Sequence, residues 1–288
     1  MQEIKIITDT ACDIPKETAK ELGITKVSIP ITVGAKALYE DIDFTPEEFY
    51  EILDNAEEMP KTSHIPAFIF ADEYEKAFSD GYKHIIHVTI NSKGSAMYES
   101  ALMAKNLFFE DHPDATITID IIDSLAYTLG YGMPLMIACD MIKNGSTKDE
   151  VVSYLTDFFQ NLELCFSVYD LKTVKKSGRV SCAAAFVGDI LGLRPIIFFT
   201  NGVATIPTKV RGDKNIIPTL VENAKANIKS GTPYSVVYGY NSDTAKIFAE
   251  EIEKAVGYAP YGVFHIGASI AMNAGTNMLG FIYTKNKD

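Results

Sequence analysis

The segment Asn91-Ser92-Lys93-Gly94-Ser95-Ala96-Met97-Tyr98-Glu99-Ser100-Ala101 follows the β-rich run His84-Ile85-Ile86-His87-Val88-Thr89-Ile90 and opens a helical stretch expected to reach about Phe109. A short Gly/Ser turn between strand and helix leaves unpaired backbone N–H groups at the positive end of a helix dipole, which suits a carboxylate or a phosphate. The spacing is not Gly-x-x-x-x-Gly-Lys-Ser/Thr, the pattern that cradles nucleotide phosphates. Nucleophilic chemistry at Ser95 would need a base held by an orienting group, and only His64 and His265 offer themselves. Lys93-Gly94-Ser95-Ala96-Met97 also lacks the second glycine of a Gly-x-Ser-x-Gly elbow. The turn therefore points first to binding an anion.

Metal and redox chemistry are not expected. Cys12, Cys139, Cys165 and Cys182 are widely scattered with no Cys-x-x-Cys, the usage of reduced and partly buried thiols. His64, His84, His87, His112 and His265 show no zinc-site spacing. His84 and His87 stand three apart in an expected strand and so point to opposite faces.

The elements that must position these residues belong to a chain of 288 residues, room for one large domain or two ordinary ones. A hydrophobic content of 47% excludes disorder, and no apolar run approaches the roughly 18 residues of a membrane span. The opening Met-Gln-Glu-Ile-Lys-Ile does not read as a secretory signal, so a cytoplasmic location without stable membrane insertion is expected. A net charge of −12 argues against nucleic-acid partners. The charge is uneven: Lys172, Lys175, Lys176, Arg179, Arg194, Lys209, Arg211 and Lys214 face only Asp189 and Asp213, giving that segment +6 and the remainder −18. Such an island could meet a phosphate or an acidic partner, or could be an ordinary solvated surface.

The first half alternates strand and helix: strands are expected at 4–8, 26–31, 84–90 and 116–122, with helices after Pro15, Pro46, Pro66, Gly94 and Ser124 and another capped by Ser146. Alternation of this kind argues for a parallel sheet covered by helices. The second half adds strands at 164–169, 195–200, 204–209, 234–240, 261–266 and 279–284, with helices near 183–191, 216–228 and 242–256. Thr200-Asn201-Gly202 marks a tight hairpin between two of the strands. The expected architecture is α/β in two domains, a parallel-sheet domain over 1–162 followed by a mixed or antiparallel one over 163–288.

The marked turns together resemble the DegV family of bacterial fatty-acid-binding proteins, almost end to end. That family's Thr-Asp-Ser-x-x-Asp-Leu-Pro is similar to Thr8-Asp9-Thr10-Ala11-Cys12-Asp13-Ile14-Pro15, and its Thr-Ser-Gln-Pro to Thr62-Ser63-His64-Ile65. Its Ser-Gly-Thr-Tyr-Gln-Ser-Ala resembles Ser95-Ala96-Met97-Tyr98-Glu99-Ser100-Ala101, and its Asp-Ser after a strand resembles Asp123-Ser124. Further on, Leu-x-x-Gly-Gly-Arg-Ile-Ser is similar to Val174-Lys175-Lys176-Ser177-Gly178-Arg179-Val180-Ser181. Leu-x-Ile-Lys-Pro-Ile is similar to Leu191-Gly192-Leu193-Arg194-Pro195-Ile196. Each motif alone is weak; six in order are specific.

The resemblance implies a non-catalytic protein that binds a long-chain, palmitate-like fatty acid in a tunnel between its two domains, for fatty-acid transport or metabolism, with no cofactor beyond that ligand. It assigns the carboxylate to Thr62 and Ser95. Both hydroxyls can donate hydrogen bonds to a charged acceptor, worth about 1.5–3 kcal/mol each. The structural alternative is that Ser95 only caps its helix and Thr62 only shapes its turn. Candidates for the tail's surroundings are Phe186, Ile190, Phe198 and Phe199, with Ile270, Met272 and Met278.

Some members of the family present the acid to a separate fatty-acid kinase. Here Arg179, Arg194 and Arg211 are candidate neighbours of an acyl phosphate, and Asn273 of the headgroup. The chain departs from the pattern where Asn273 replaces a histidine, Thr276-Asn277 replaces Pro-Gly, and His64 stands for a glutamine. Those departures put the kinase partnership in doubt. The alternative function is an enzyme, either a hydrolase with Ser95 as nucleophile or a small-molecule kinase related to dihydroxyacetone kinase, whose fold the family's first domain resembles.

Overall fold

The computed structural model describes residues 3–56, 58–169, 171–184 and 192–285. The chain divides into two compact units, one formed by Met1–Thr45 and Ala56–Gln160, the other by Pro46–Asn55 and Asn161–Asp288.

The first unit runs β1 (Ile4–Asp9), α1 (Lys16–Leu22), β2 (Thr25–Val27), β3 (Pro30–Val33) and β4 (Lys36–Tyr39). After α2 (Pro46–Asn55), which groups with the second unit, come β5 (Lys61–Thr62), α3 (Ala67–Ser79), β6 (His84–Thr89) and α4 (Met97–Asp111). β7 (Thr118–Asp123), α5 (Leu129–Lys143) and α6 (Lys148–Asn161) follow. Four strands pair in parallel in the order β2-β1-β6-β7. Ile6, Ile7, Ile85, Ile86 and Val88 are buried. Such continuous apolar runs mark parallel strands covered on both faces.

The stretch 26–31, expected as one strand, is cut in two. Ile29 N donates to Thr10 Oγ1 at 3.1 Å, and Pro30 has no N–H with which to continue the ladder. β2 stays in the parallel sheet, while β3 opens a separate antiparallel sheet ordered β4-β3-β5. Thr62 enters the fold on the last of these strands, paired with Ile31.

Strand order fixes where a ligand can approach. β2 lies to one side of β1 and β6 to the other, so the chain leaves the carboxyl ends of β1 and β6 in opposite directions. This reversal opens a crevice outside the sheet, the usual ligand position in open α/β folds. α5 closes over the neighbouring turn so tightly that a Cβ on Gly132 would overlap the Cys12 carbonyl.

The second unit comprises β8 (Leu162–Val168), α7 (Leu171–Ser177), α8 (Ser181–Ala184), β9 (Leu193–Thr200), β10 (Val203–Arg211) and α9 (Ile216–Asn227). It continues through β11 (Ser235–Tyr238), α10 (Ser242–Val256), β12 (Gly262–His265), α11 (Ala268–Ala274) and β13 (Met278–Thr284). Its six strands are ordered β10-β9-β8-β13-β11-β12, antiparallel except for the parallel pair β11–β12. The expected mixed sheet is therefore present. Asn201 and Gly202 join β9 to β10 with φ of 50° and 73°, the left-handed pair that a type I′ turn demands.

One face of this sheet packs Cys165, Ile196, Phe281 and Tyr283 against Leu220 of α9 and Phe248 and Ile252 of α10. Phe198, partly buried, packs against that same core. Its neighbour Phe199 points the other way and stacks on Phe166, ring centroids 6.0 Å apart and planes 5° from parallel. Ile270, Met272 and Met278 are buried; Phe186 and Ile190 lie outside the described residues.

Candidate anion-binding site

The turn that carries Ser95 is held from below by the loop that follows β7. Asn91 N donates to the Ala126 carbonyl at 3.0 Å and Gly94 N to the Asn91 carbonyl at 3.1 Å. Asn91 Oδ1 accepts from Lys93 N at 3.1 Å, while its Nδ2 donates to Tyr127 Oη at 3.0 Å. Asp123 Oδ1 takes two backbone donors, Ser92 N at 3.1 Å and Leu125 N at 3.0 Å, clamping both loops together. Tyr127 points its hydroxyl end at Gly94, where an added Cβ would overlap that hydroxyl. Glycine is required there for close approach.

α4 begins at Met97, two residues later than the expected start at Ser95, and its cap is Ala96, which offers no side-chain hydrogen bond. Ser95 is therefore not the helix cap. The first turn of any helix leaves its N–H groups without intrahelical acceptors, and in α4 Ser100 N is bonded back to the Ala96 carbonyl at 3.0 Å. N–H groups and the Ser95 hydroxyl thus share the positive end of the α4 dipole.

Thr62 is half-buried on β5. The loop after it is fastened directly to α4: Ile65 N donates to Met97 Sδ at 3.3 Å, and Ser100 Oγ donates to the Ile65 carbonyl at 2.5 Å. The structure so brings the Thr62 loop and the Ser95 turn onto the same first turn of α4. Among the described residues, neither the Thr62 nor the Ser95 hydroxyl has a hydrogen-bond partner. An anion at the first turn of α4 could accept from its free N–H groups and from hydroxyls of this kind.

Asp9, at the carboxyl end of β1, is fully buried. Its Oδ1 accepts from Tyr131 Oη at 2.6 Å and from Ala11 N at 3.0 Å, and its Oδ2 from Ile90 N at 3.3 Å. Burial pushes its carboxyl up to about 6, against the opposing pull of those three donors and of the Lys26 charge. Asp9 stands in the sequence only as part of the Thr8–Pro15 motif, and nothing local ties Tyr127 to Asn91. The available signal was an aspartate at the end of the first strand.

The nucleophile reading finds no support in this geometry. His64 is exposed and, among the described residues, makes no hydrogen bond, ion pair or ring contact. Ser95 is not among the residues held at positive φ, the strain that characterises a nucleophile elbow. His265 is in the second unit, its ring 4.9 Å from Tyr50 and 5.2 Å from Tyr238, with Nδ1 3.8 Å from Glu47 Oε1. Burial lowers its basicity and Glu47 partly restores it.

The other candidate residues also belong to the second unit. Asn273 sits on α11 with its amide donating to the Ser269 carbonyl at 2.7 Å. Arg194, on β9, pairs with Asp213 at 2.7 Å. Arg179 is exposed and its Nη1 donates to the Ser177 carbonyl at 2.8 Å; Arg211 is exposed at the end of β10. Ladder register sets Arg211 opposite Leu193 and Arg194 opposite Val210, so the two arginines stand on opposite faces of the sheet. Among the described residues no group of three or more His, Cys, Asp or Glu is placed to hold a metal ion. No helix among them is long and apolar enough to cross a membrane.

A parallel sheet with a Gly/Ser turn at its switch point, together with a mixed-sheet unit, defines a two-unit α/β protein. The sequence model described as "Uncharacterised protein, DegV family" matches residues 3–286, and the chain belongs to the DegV family. A DegV domain-containing protein of Clostridium perfringens is 28% identical, over 98% of this chain and 99% of its own length. The crystal structure of a stearic-acid-binding protein from Eubacterium ventriosum superposes with a TM-score of 0.90 at 26% identity, covering 98% of each chain. DegV of Bacillus subtilis, described as a fatty acid binding protein, matches with a TM-score of 0.82 at 26% identity, over 99% of this chain and 100% of that one.

Proposed function

We propose that this protein binds one long-chain fatty acid and performs no chemistry on it. The observation behind it is that Ile65, three positions after Thr62, is hydrogen-bonded to Met97 and Ser100 in the first turn of α4, which Ser95 precedes by two residues. A carboxylate there would accept from both alcohols and from backbone N–H groups. Each such bond contributes about 1.5–3 kcal/mol. The acyl chain contributes more: each methylene removed from water is worth about 0.8 kcal/mol, so a dozen give roughly 10 kcal/mol before the entropy of association is subtracted. The reading is supported by two structural relatives at 26% identity whose bound or recognised ligands are fatty acids.

Presentation of the bound acid to a separate kinase belongs to the same proposal. Arg194 and Arg211 project from opposite faces of the sheet, so one of them at most, with the exposed Arg179 as the further candidate, would then serve an acyl phosphate, whose charge exceeds that of a carboxylate. Asn273 can hydrogen-bond near a headgroup without adding charge.

The test is direct. Delipidated protein is mixed with palmitate or stearate and followed by native mass spectrometry and thermal denaturation. One acid per chain and a raised melting temperature are expected, since ligand at a hundred times its Kd stabilises by about 2.7 kcal/mol. Failure to gain either mass or stability ends the proposal.

A further inference from the structure

We propose that Asp9 is a positioning residue for the fatty-acid headgroup: through its hydrogen bond from Ile90 N it fixes the root of the turn that aims Ser95. The inference rests on the reading of Thr62 and Ser95 as carboxylate ligands and adds a residue with no ligand contact of its own.

Three observations carry it. First, Asp9 sits at the end of β1 and reaches across to the first residue after β6, so it bridges the two strands flanking the crevice. Second, the turn hangs from successive anchors, Ile90 N on Asp9, Asn91 N on the Ala126 carbonyl and Ser92 N on Asp123. Three consecutive held N–H groups leave the backbone little freedom before Gly94 and Ser95. Third, Asp9 is fully buried whereas Asp123 is not. A buried carboxylate is costly, and its elevated pKa records that cost. Apolar side chains would fill the space more cheaply; what they cannot do is hold Ile90 N and Ala11 N from opposite sides with one group.

The decisive experiment removes the Ile90 N–H and leaves every side chain in place, by installing the α-hydroxy analogue of isoleucine at position 90 so that an ester replaces the amide. Binding of palmitate and of hexadecanol, the alcohol of equal chain length, is measured for both proteins. Wild-type binding of palmitate is established first, so failure of the carrier reading shows separately. The ester is expected to weaken palmitate about tenfold while hexadecanol stays within twofold, because only the acid draws on an aligned Ser95. A second variant, Tyr131→Phe, deletes another donor to the same carboxylate but leaves Ile90 held, and is expected to keep the palmitate-to-hexadecanol ratio within twofold of wild type. Equal loss for both ligands in the ester, an unchanged ratio in the ester, or a collapsed ratio in Tyr131→Phe would each overturn the assignment.

Discussion

Ser100 Oγ donates to the Ile65 carbonyl at 2.5 Å, joining the loop behind Thr62 to the helix behind Ser95. Both residues are buried, with Ser100 5% and Ile65 1% exposed, so water is not at hand to replace the bond. Ser100→Ala leaves a buried carbonyl without its donor, a loss of about 1–3 kcal/mol. The variant is therefore expected to unfold at lower urea and also to bind palmitate more weakly, since the loop after Thr62 loses one of its two ties to α4. Reduced stability with unaltered affinity would show that the two loops are set independently.

Thr62→Val and Ser95→Ala each delete one alcohol donor while keeping the local shape. Each is expected to cost roughly tenfold to a hundredfold in palmitate affinity by calorimetry, the equivalent of 1.5–3 kcal/mol. Both donors would serve one carboxylate, so the double variant should fall short of the summed losses. The methyl ester of palmitate carries no charge and should bind wild type and variants with similar, weaker affinity. Variants that bind the free acid like wild type would remove both residues from the site.

What the sequence made legible was local or periodic. A strand followed by a Gly/Ser turn and a helix gave the Ser95 region, and Asn201-Gly202 gave the hairpin with its positive φ values. What stayed hidden depends on contacts far apart in the chain. Asp9 and Tyr131 meet across 122 residues, and Asn91 and Tyr127 across 36, with no period or motif linking either pair. The break at residues 28–30 was also concealed, because the strand pattern runs through it. Only the Thr10 hydroxyl, claiming Ile29 N, shows why the ladder stops. Phe198 and Phe199 are the reverse case. Side-chain alternation in a strand already says that two adjacent residues cannot line one surface, and the structure divides them accordingly.

Gly94 offers a test of the support rather than of the ligands. Gly94→Ala places a Cβ into the Tyr127 hydroxyl, so either the ring or the turn must shift. Lower stability and weaker palmitate binding are expected. Adding Tyr127→Phe removes the clashing oxygen, and the next ring atom, Cζ, is 3.2 Å from the added Cβ, a distance that a few tenths of an ångström of movement relieves. The double variant is thus expected to recover a large part of the binding lost in Gly94→Ala. If Tyr127→Phe worsens the loss, the close approach is not what glycine serves.

Two buried groups of the first unit titrate with opposite effect. His87, bonded through Nδ1 to Tyr74 Oη at 2.6 Å, is pushed down by burial from 6.5 to about 3. Below pH 6.5 the unfolded chain takes up a proton there that the folded chain refuses, so His87 makes stability fall as the solution is acidified. Asp9 is raised by burial from 3.8 to about 6. Below pH 6 the folded chain takes up a proton there that the unfolded chain refuses until about 3.8, so Asp9 makes stability rise on acidification. Each slope approaches about 1.4 kcal/mol per pH unit. Between pH 6 and 4.5 the two nearly cancel, and wild type should show little change from them. Asp9→Asn unmasks His87 and is expected to lose roughly 2 kcal/mol over that interval in urea unfolding. His87→Gln, which keeps an acceptor for Tyr74, unmasks Asp9 and is expected to gain a similar amount. Parallel pH profiles for the two variants would mean that these groups do not carry the shifts that their burial imposes.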